Sequence, residues 1–256
     1  MPEPTSIGSS IRTIVAGLAL ALAATGAEAG QTNVAVAANF TEAANEIGAL
    51  FAQQTGHTAV FSFGSTGQLY TQIAQGAPFD VFLAADRERP RLAVENGLAA
   101  AHSGYTYATG KIVLFSKNPA LVAGEATLRQ GNFTRIAIAN PDTAPYGAAA
   151  VAAMRALGVY DALAAKIVRG NNIAQTYQFV ETGNAEIGFV ALSQVGGRED
   201  GSRWVVPEDL YPVIAQDAVL LNRGADNAAA RAFIVFLNGP EALAVKEKYG
   251  YGAGDG

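Results

Sequence analysis

The fold of this chain is decided by the stretch Phe63-Gly64-Ser65-Thr66-Gly67-Gln68-Leu69, where a predicted strand ends and a predicted helix begins. Residues 58–62 form the strand, and residues 69–74 have the apolar spacing of a helix. The first N–H groups of a helix have no intrahelical partner and carry partial positive charge. The glycines would let an anion approach them, and Ser65 and Thr66 add hydroxyl donors. The corner is a candidate anion site, although a plain helix cap is the commoner meaning of such a corner taken alone.

Two more strand-to-helix corners of the same kind occur along the chain. Residues 33–38 form a predicted strand, and residues 39–42 then open a helix with apolar positions on one face. A third corner follows the apolar residues 135–139, where residues 140–147 lead into an alanine-rich helix. Three polar corners in one chain favour a shared binding site over three separate helix caps.

The corner motifs occur in an order that resembles the periplasmic molybdate-binding proteins of ABC transporters, the ModA family. Each motif alone is weakly specific, but the ordered set is specific and extends over nearly the whole mature chain. The segments that carry the resemblance are residues 37–41 (AANFT), 63–67 (FGSTG), 76–86 (GAPFDVFLAAD), 140–141 (NP) with 145–147 (PYG), and 249–251 (YGY).

The composition fits a folded protein without a nucleic-acid surface. The chain has 256 residues, of which 50% are hydrophobic and 15% charged, and its formal net charge is -5. Because it has no basic run, we expect no nucleic-acid partner. An anion must therefore be bound by local donors and not by the overall field of the protein. The absence of cysteine excludes disulfides, thiol catalysis and a lipidated cysteine anchor.

The N-terminus, residues 1–29, predicts a signal peptide. Arg12 precedes the apolar residues 14–24, and Ala27-Glu28-Ala29 offers the small-x-small cleavage pattern. The apolar run is shorter than the roughly 20 residues that span a bilayer. We expect cleavage after Ala29, a mature chain that starts at Gly30, and a location in a Gram-negative-type periplasm.

Alternating strands and helices predict an α/β fold. The resemblance implies its arrangement: two doubly wound α/β lobes joined by two crossover strands, with a ligand cleft between them, as in type II periplasmic binding proteins. Lobe one would contain residues 30–110 and 216–256, and lobe two residues 111–215. Ligands of such sheets lie beyond the carboxyl ends of the strands, so the corners would face the cleft and lobe closure would bury an anion.

The resemblance also implies the oxyanion-binding positions, which fall on Asn39, Thr66 with Ser65 just before it, Tyr146 and Ile173. Asn39 and the hydroxyl residues offer side-chain donors, and Ile173 offers a backbone N–H at a helix start. Tyr146 is expected to offer its backbone N–H.

A further family position, a tyrosine in its best-known members, falls on Ala191, so that this hydroxyl is missing. We expect the phenol of Tyr146 to replace it from the other side of the cleft.

Uncharged donors without a carboxylate acceptor suit an oxyanion that is fully deprotonated at neutral pH, as molybdate, tungstate and sulfate are. Phosphate keeps a proton that would lack an acceptor, at a cost of roughly 1–3 kcal/mol. We expect a monomeric, non-enzymatic receptor that binds molybdate and the similarly sized tungstate, without a cofactor or a metal-ion ligand. Its partners would be the permease and the ATPase of the transporter.

Besides an interaction module that signals oxyanion status without transport, which only genetic context separates, two alternatives stay open at this stage. One is a receptor of the same fold for sulfate or thiosulfate, because cavity size decides between these anions and a sequence does not display it. The other is a hydrolase of phosphate or sulfate esters with Thr66 as its nucleophile, although no general base is evident near any corner.

Overall fold

The computed structural model describes residues 1–2 and 29–254, and the strands of this part of the chain form two separate five-stranded sheets. Residues 3–28, nearly all of the predicted signal peptide, lie outside the described residues. The prediction of a signal peptide therefore has no structural counterpart to compare with.

The first sheet is built from the two ends of the described chain. It contains β1 (Gln31–Ala37), β2 (Thr58–Gly64), β3 (Val81–Leu83), β4 (Tyr105–Gly110) and β10 (Ile214–Leu220). The strand order is β2-β1-β3-β10-β4. β1 pairs in parallel with β2 and β3, whereas β10 is antiparallel to both of its neighbours.

The second sheet repeats this plan with the middle of the chain. It contains β5 (Ile112–Ser116), β6 (Ile136–Ala139), β7 (Ile167–Gly170), β8 (Ile187–Ala191) and β9 (Ser202–Val205). The order is β7-β6-β8-β5-β9, with β6 parallel to β7 and β8 and with β5 antiparallel to β8 and β9. Each sheet thus has three neighbouring parallel strands. The strand beside them, β10 or β5, is antiparallel and is the first strand after a crossover.

Alternate residues of a strand point to opposite faces of the sheet. Because both faces carry buried apolar residues, helices cover both faces of each sheet. In β1, Val34 and Val36 belong to one buried cluster and Ala35 to another. In β5, Leu114 faces one cluster, while Val113 and Phe115 face another. The helices that follow sheet-one strands are α1 (Thr41–Thr55), α2 (Thr66–Ala74), α3 (Glu88–Glu95), α9 (Ala228–Leu237) and α10 (Pro240–Lys248). Those that follow sheet-two strands are α4 (Glu125–Gln130), α5 (Pro145–Ala156), α6 (Tyr160–Leu163), α7 (Ile173–Glu181) and α8 (Leu192–Val195).

The chain passes between the sheets twice. Lys111 is the single residue between β4 and β5, and residues 206–213 lead from β9 back to β10. The predicted fold class, two α/β lobes joined by two crossovers, is confirmed. The exact lobe limits stay a prediction, and β10 begins at Ile214, two residues before the predicted limit at residue 216.

Within the described residues, no single helix has the length and hydropathy to cross a membrane. Two pairs of consecutive helices meet those limits only when joined across a sharp bend, Pro145–Ala156 with Tyr160–Lys166 and Ala228–Leu237 with Pro240–Lys248.

The start of α5 packs so closely on β6 that it requires glycine at position 147. A Cβ atom there would overlap the carbonyl of Ala139, which is backbone and has little room to move. We expect Gly147→Ala to lower the free energy of unfolding by about 1–3 kcal/mol, the usual cost of overpacking. Urea denaturation measures this change. Gly197→Ala is the matched control, because nothing lies within 4 Å of a Cβ at that position. Equal stabilities of the two variants would contradict the prediction.

Candidate functional site

A small cavity lies where the carboxyl ends of strands from the two sheets face each other. Its walls are formed by the residues that follow β1, β2 and β3 of the first sheet and β6 and β7 of the second. Three helices, α2, α5 and α7, begin at this cavity. The residues that line it are Ala37, Ala38, Asn39, Gly64, Ser65, Thr66, Ala85, Ala144, Pro145, Tyr146, Asn172 and Ile173.

The structure brings together the residues that the sequence predicted for the site. Asn39, Ser65, Thr66, Tyr146 and Ile173 all line this one cavity, although they come from four separate parts of the chain. Among the described residues, none of those lining the cavity carries a formal charge. Their role in binding an oxyanion stays a prediction, but their spatial grouping meets its first requirement.

The two hydroxyl residues at the start of α2 have different surroundings. Thr66 Oγ1 accepts a hydrogen bond of 2.9 Å from the N–H of Ala85. Ser65 occupies the N-cap position, yet its side chain makes no capping hydrogen bond. Its Oγ is buried and, within the described part of the chain, has no hydrogen-bond partner. The plain-cap interpretation therefore does not apply to Ser65, whose hydroxyl is free to donate into the cavity.

Backbone donors from the other sheet complete the walls. Tyr146 is the second residue of α5, after Pro145, and Ile173 is the first residue of α7. The N–H groups in these positions precede the first intrahelical hydrogen bonds. Asn172 caps α7 by accepting a hydrogen bond of 3.0 Å from the N–H of Gln175, which leaves the N–H of Ile173 unclaimed by the cap. Two helix starts thus direct partial positive charge at the cavity without a charged side chain.

Two hydrogen bonds join the two halves next to the cavity. The N–H of Gly67, in the first turn of α2, donates to the carbonyl oxygen of Thr143 at 2.9 Å. The hydroxyl of Ser193, in α8, donates to the carbonyl oxygen of Asn39 at 2.9 Å. In both cases the donor and the acceptor lie on opposite sides of the cleft, one beside each sheet, so these bonds hold the cleft closed around the cavity.

A buried cluster of carboxamides and phenols lies directly beside Asn39. Asn39 Nδ2 lies 2.6 Å from Gln216 Oε1 and 3.3 Å from the hydroxyl oxygens of Tyr146 and Tyr251. The Tyr251 hydroxyl donates to the Asn39 carbonyl oxygen at 2.6 Å. Gly110, the last residue of β4, leaves the space that the Tyr146 hydroxyl occupies. We call the side chains of Asn39, Tyr107, Tyr146, Gln216 and Tyr251 the hinge cluster, since it lies between the two crossovers.

The sequence predicts that the Tyr146 phenol replaces the hydroxyl that is missing at Ala191, and the structure shows what this phenol contacts. Ala191 is not among the lining residues, and its N–H donates to Gln194 Oε1 at 2.9 Å. The Tyr146 phenol faces the Asn39 carboxamide, so the contact seen for this phenol is with a lining residue. Its effect on a bound anion would then be exerted through Asn39.

Gln216 and Tyr251 are site neighbours that the sequence reasoning did not assign to the site. The resemblance includes Tyr251 in the motif 249–251, but it gives this residue no role beyond packing. Gln216 is fully buried in β10, and a polar residue at a buried strand position is the signal that points to it.

Burial raises the pKa values of the three phenols in the hinge cluster. It raises the pKa of the Tyr146 phenol well above its ordinary value of 10.0, and it does the same for Tyr107. Burial also raises the pKa of Tyr251. The phenols therefore stay protonated, as uncharged donors and acceptors, to a higher pH than a solvent-exposed tyrosine does.

The raised phenol pKa values predict how stability changes with pH. A tyrosine whose pKa is raised by folding contributes to the free energy of unfolding, and this contribution is fully present below the unfolded-state pKa of about 10. The contribution is lost as the pH rises toward the folded-state pKa. We expect urea-denaturation stability to fall progressively above about pH 10. Tyr146→Phe removes one of these phenols and should make the fall less steep. An equally steep fall in wild type and variant would contradict the prediction for this phenol.

The sequence matches a known protein family and two relatives of 50% identity or more. The family model for bacterial extracellular solute-binding proteins matches residues 32–252. The chain is 54% identical over 250 residues to the molybdate-binding protein ModA of Rhodobacter capsulatus, which covers 98% of this chain and 97% of that protein. It is 50% identical over 247 residues to the molybdate-binding protein ModA of Azotobacter vinelandii, covering 95% of this chain and 98% of that protein.

The structural comparison gives a similar result. The solved periplasmic molybdate-binding protein of Azotobacter vinelandii superposes with a TM-score of 0.84 and 38% sequence identity, over 86% of this chain and 98% of that one.

Proposed function

The chain belongs to the bacterial extracellular solute-binding proteins and, among them, to the ModA proteins, and we propose that it binds molybdate in the cavity and delivers it to an ABC transporter. Proteins of this family are receptors and not enzymes. The observation that carries the proposal is the buried, unpartnered Ser65 hydroxyl at a cavity where three helices begin. A tetrahedral oxyanion supplies the acceptors that this hydroxyl and the helix starts lack.

We propose specific donors for the anion. Ser65 contributes its hydroxyl, Tyr146 and Ile173 contribute backbone N–H groups, and Asn39 contributes its carboxamide NH2. Thr66 holds Ala85 in place with its Oγ1 and keeps its own hydroxyl proton for donation. Donors from both sheets would thus share one anion.

The same set of donors supports selection among anions. The residues that line the cavity include no carboxylate, so the proton of hydrogen phosphate would find no ionised acceptor. This favours molybdate, tungstate and sulfate over phosphate by roughly 1–3 kcal/mol. Tungstate is nearly the same size as molybdate, so we propose that it binds as well.

The proposal also covers location and partners. Cleavage after Ala29 would start the mature chain at Gly30, directly before β1 at Gln31, so that no strand residue is lost. We propose a monomeric periplasmic receptor with lobes of residues 30–110 plus 216–256 and 111–215. Its closed form would present both lobes to the permease, and the ATPase would drive transport.

One titration series tests the function. We expect isothermal titration calorimetry of the mature protein to show tight binding of molybdate and tungstate, weaker binding of sulfate and still weaker binding of phosphate. Sulfate affinity within about tenfold of molybdate affinity, or about 1.4 kcal/mol, would instead support a sulfate receptor. No heat with any oxyanion would reject the proposal. Because none of the proposed donors titrates near neutral pH, the affinity should be unchanged between about pH 6 and pH 8.

The role of Ser65 is tested by removing its hydroxyl. We expect Ser65→Ala to weaken molybdate binding by about ten- to a hundredfold, because a hydrogen bond to a charged group contributes about 1.5–3 kcal/mol. Calorimetry gives the affinity. Ser103→Ala is the matched control, since that hydroxyl donates to the Ala100 carbonyl oxygen near the far end of β10. Wild-type affinity in Ser65→Ala would remove Ser65 from the donor set.

A further inference from the structure

We propose that Gln216 is a positioning residue that sets the orientation of the Asn39 carboxamide, so that in the anion-bound protein Asn39 directs its NH2 at the anion and its Oδ1 at Gln216. The inference rests on the proposed function and adds to it a residue that does not line the cavity. Gln216 would act on the anion only through Asn39.

The first observation is an unpaired donor. Gln216 is fully buried, and among the described residues its Nε2 has no hydrogen-bond partner. Its Oε1 instead lies 2.6 Å from Asn39 Nδ2 and 3.4 Å from the Tyr107 hydroxyl. A buried NH2 group without an acceptor costs about 1–3 kcal/mol, so this orientation of the carboxamide is the less stable one for Gln216.

The second observation concerns Asn39. Its Nδ2 faces three oxygens, those of Gln216, Tyr146 and Tyr251, but an NH2 group has only two hydrogens. Because Nδ2 faces the hinge cluster, the carboxamide oxygen is left on the side of the cavity that Asn39 lines. An oxygen in that position repels an oxyanion. The orientation with Nδ2 on the hinge cluster therefore opposes anion binding.

A half-turn of both carboxamides pairs Gln216 Nε2 and brings donors to Asn39 Oδ1, while the Tyr251 oxygen, whose proton goes to the Asn39 carbonyl oxygen, then lies 3.3 Å from Oδ1. Gln216 Nε2 would then donate to Asn39 Oδ1 and to the Tyr107 oxygen, whose own proton already goes to the Ala84 carbonyl oxygen at 3.1 Å. The Tyr146 hydroxyl would donate to the same Asn39 Oδ1. Asn39 would present its NH2 to the anion. The buried group left without a partner becomes Gln216 Oε1, and an unpaired carbonyl is tolerated better than an unpaired NH2.

The place of the hinge cluster links this rearrangement to lobe closure. Gln216 lies near the start of β10, directly after the second crossover, and Tyr146 belongs to α5 beside the other sheet. The Tyr146 hydroxyl reaches Asn39 only when the two halves are together. The pair of donors that holds Asn39 Oδ1 in the binding orientation, Gln216 Nε2 and the Tyr146 hydroxyl, is therefore complete only in the closed protein.

A double-mutant cycle tests the proposal. Gln216→Met keeps the length of the side chain and removes both hydrogen-bonding atoms, and Asn39→Ala removes the carboxamide through which Gln216 would act. We expect Gln216→Met to weaken molybdate binding by about tenfold and Asn39→Ala by about ten- to a hundredfold. The double variant should bind as Asn39→Ala does, since the two effects follow one path. Thermal melting of all four proteins shows that they are folded.

The outcomes separate the function from the inference. A wild-type protein that binds no oxyanion rejects both. If wild type binds, unchanged affinity in Gln216→Met, or effects of the two substitutions that multiply, overturns the positioning role and leaves the function intact.

A crystal structure of wild type with molybdate tests the geometry without any variant. One terminal atom of Asn39 should lie about 3 Å from a molybdate oxygen, and the other beside Gln216. A molybdate oxygen accepts and never donates, so the near atom must be nitrogen. An Asn39 side chain out of reach of the anion would overturn the proposal even if Gln216→Met failed to fold.

Discussion

A hydrogen-bond donor buried without a partner is the constraint on which the site depends. The Ser65 hydroxyl is such a donor, and it occupies an N-cap position without capping its helix. Leaving it unpaired costs about 1–3 kcal/mol, which only an acceptor from outside the chain offsets here. The residues around it fit that need: helix starts supply more donors, and no charge among the described lining residues competes for them.

The topology explains how donors from distant parts of the chain reach one cavity. Each sheet has a run of three parallel strands, so the strand-to-helix corners collect at the edge where these strands end. The two crossovers turn these edges toward each other. Because Gln216 follows one crossover and Gly110 precedes the other, the hinge and the site are built from the same few residues. A change of lobe angle therefore alters the hydrogen bonds of Asn39 directly, without a relay through the rest of the fold.

The sequence predicts the parts of this arrangement that depend on local signals. Apolar periodicity, glycine and cap residues indicate where strands end and helices begin, and the ordered motifs indicate which corners meet. The partner of each donor was not predictable, because it depends on packing between distant segments. Thr66 is bound by Ala85, and Asn39 meets Gln216 across 177 positions of sequence. For this reason Ser65 and Thr66 look equivalent in the sequence and differ in the structure, and Gln216 gave no signal apart from being polar in a buried strand.

An acidic protein that binds an anion with neutral groups faces opposite demands at long and short range. At a net charge of -5 the chain does not attract an anion from a distance, although salt screens that repulsion beyond about 8 Å. Affinity must then come from slow release and not from fast capture. Neutral donors divided between two lobes give slow release while the lobes are closed. Lobe opening then breaks all the hydrogen bonds from one lobe at once. A single arginine in the cavity would keep its attraction in the open state and hold the anion back. Release to a transporter is therefore easier from a site whose strength exists only while the lobes are closed.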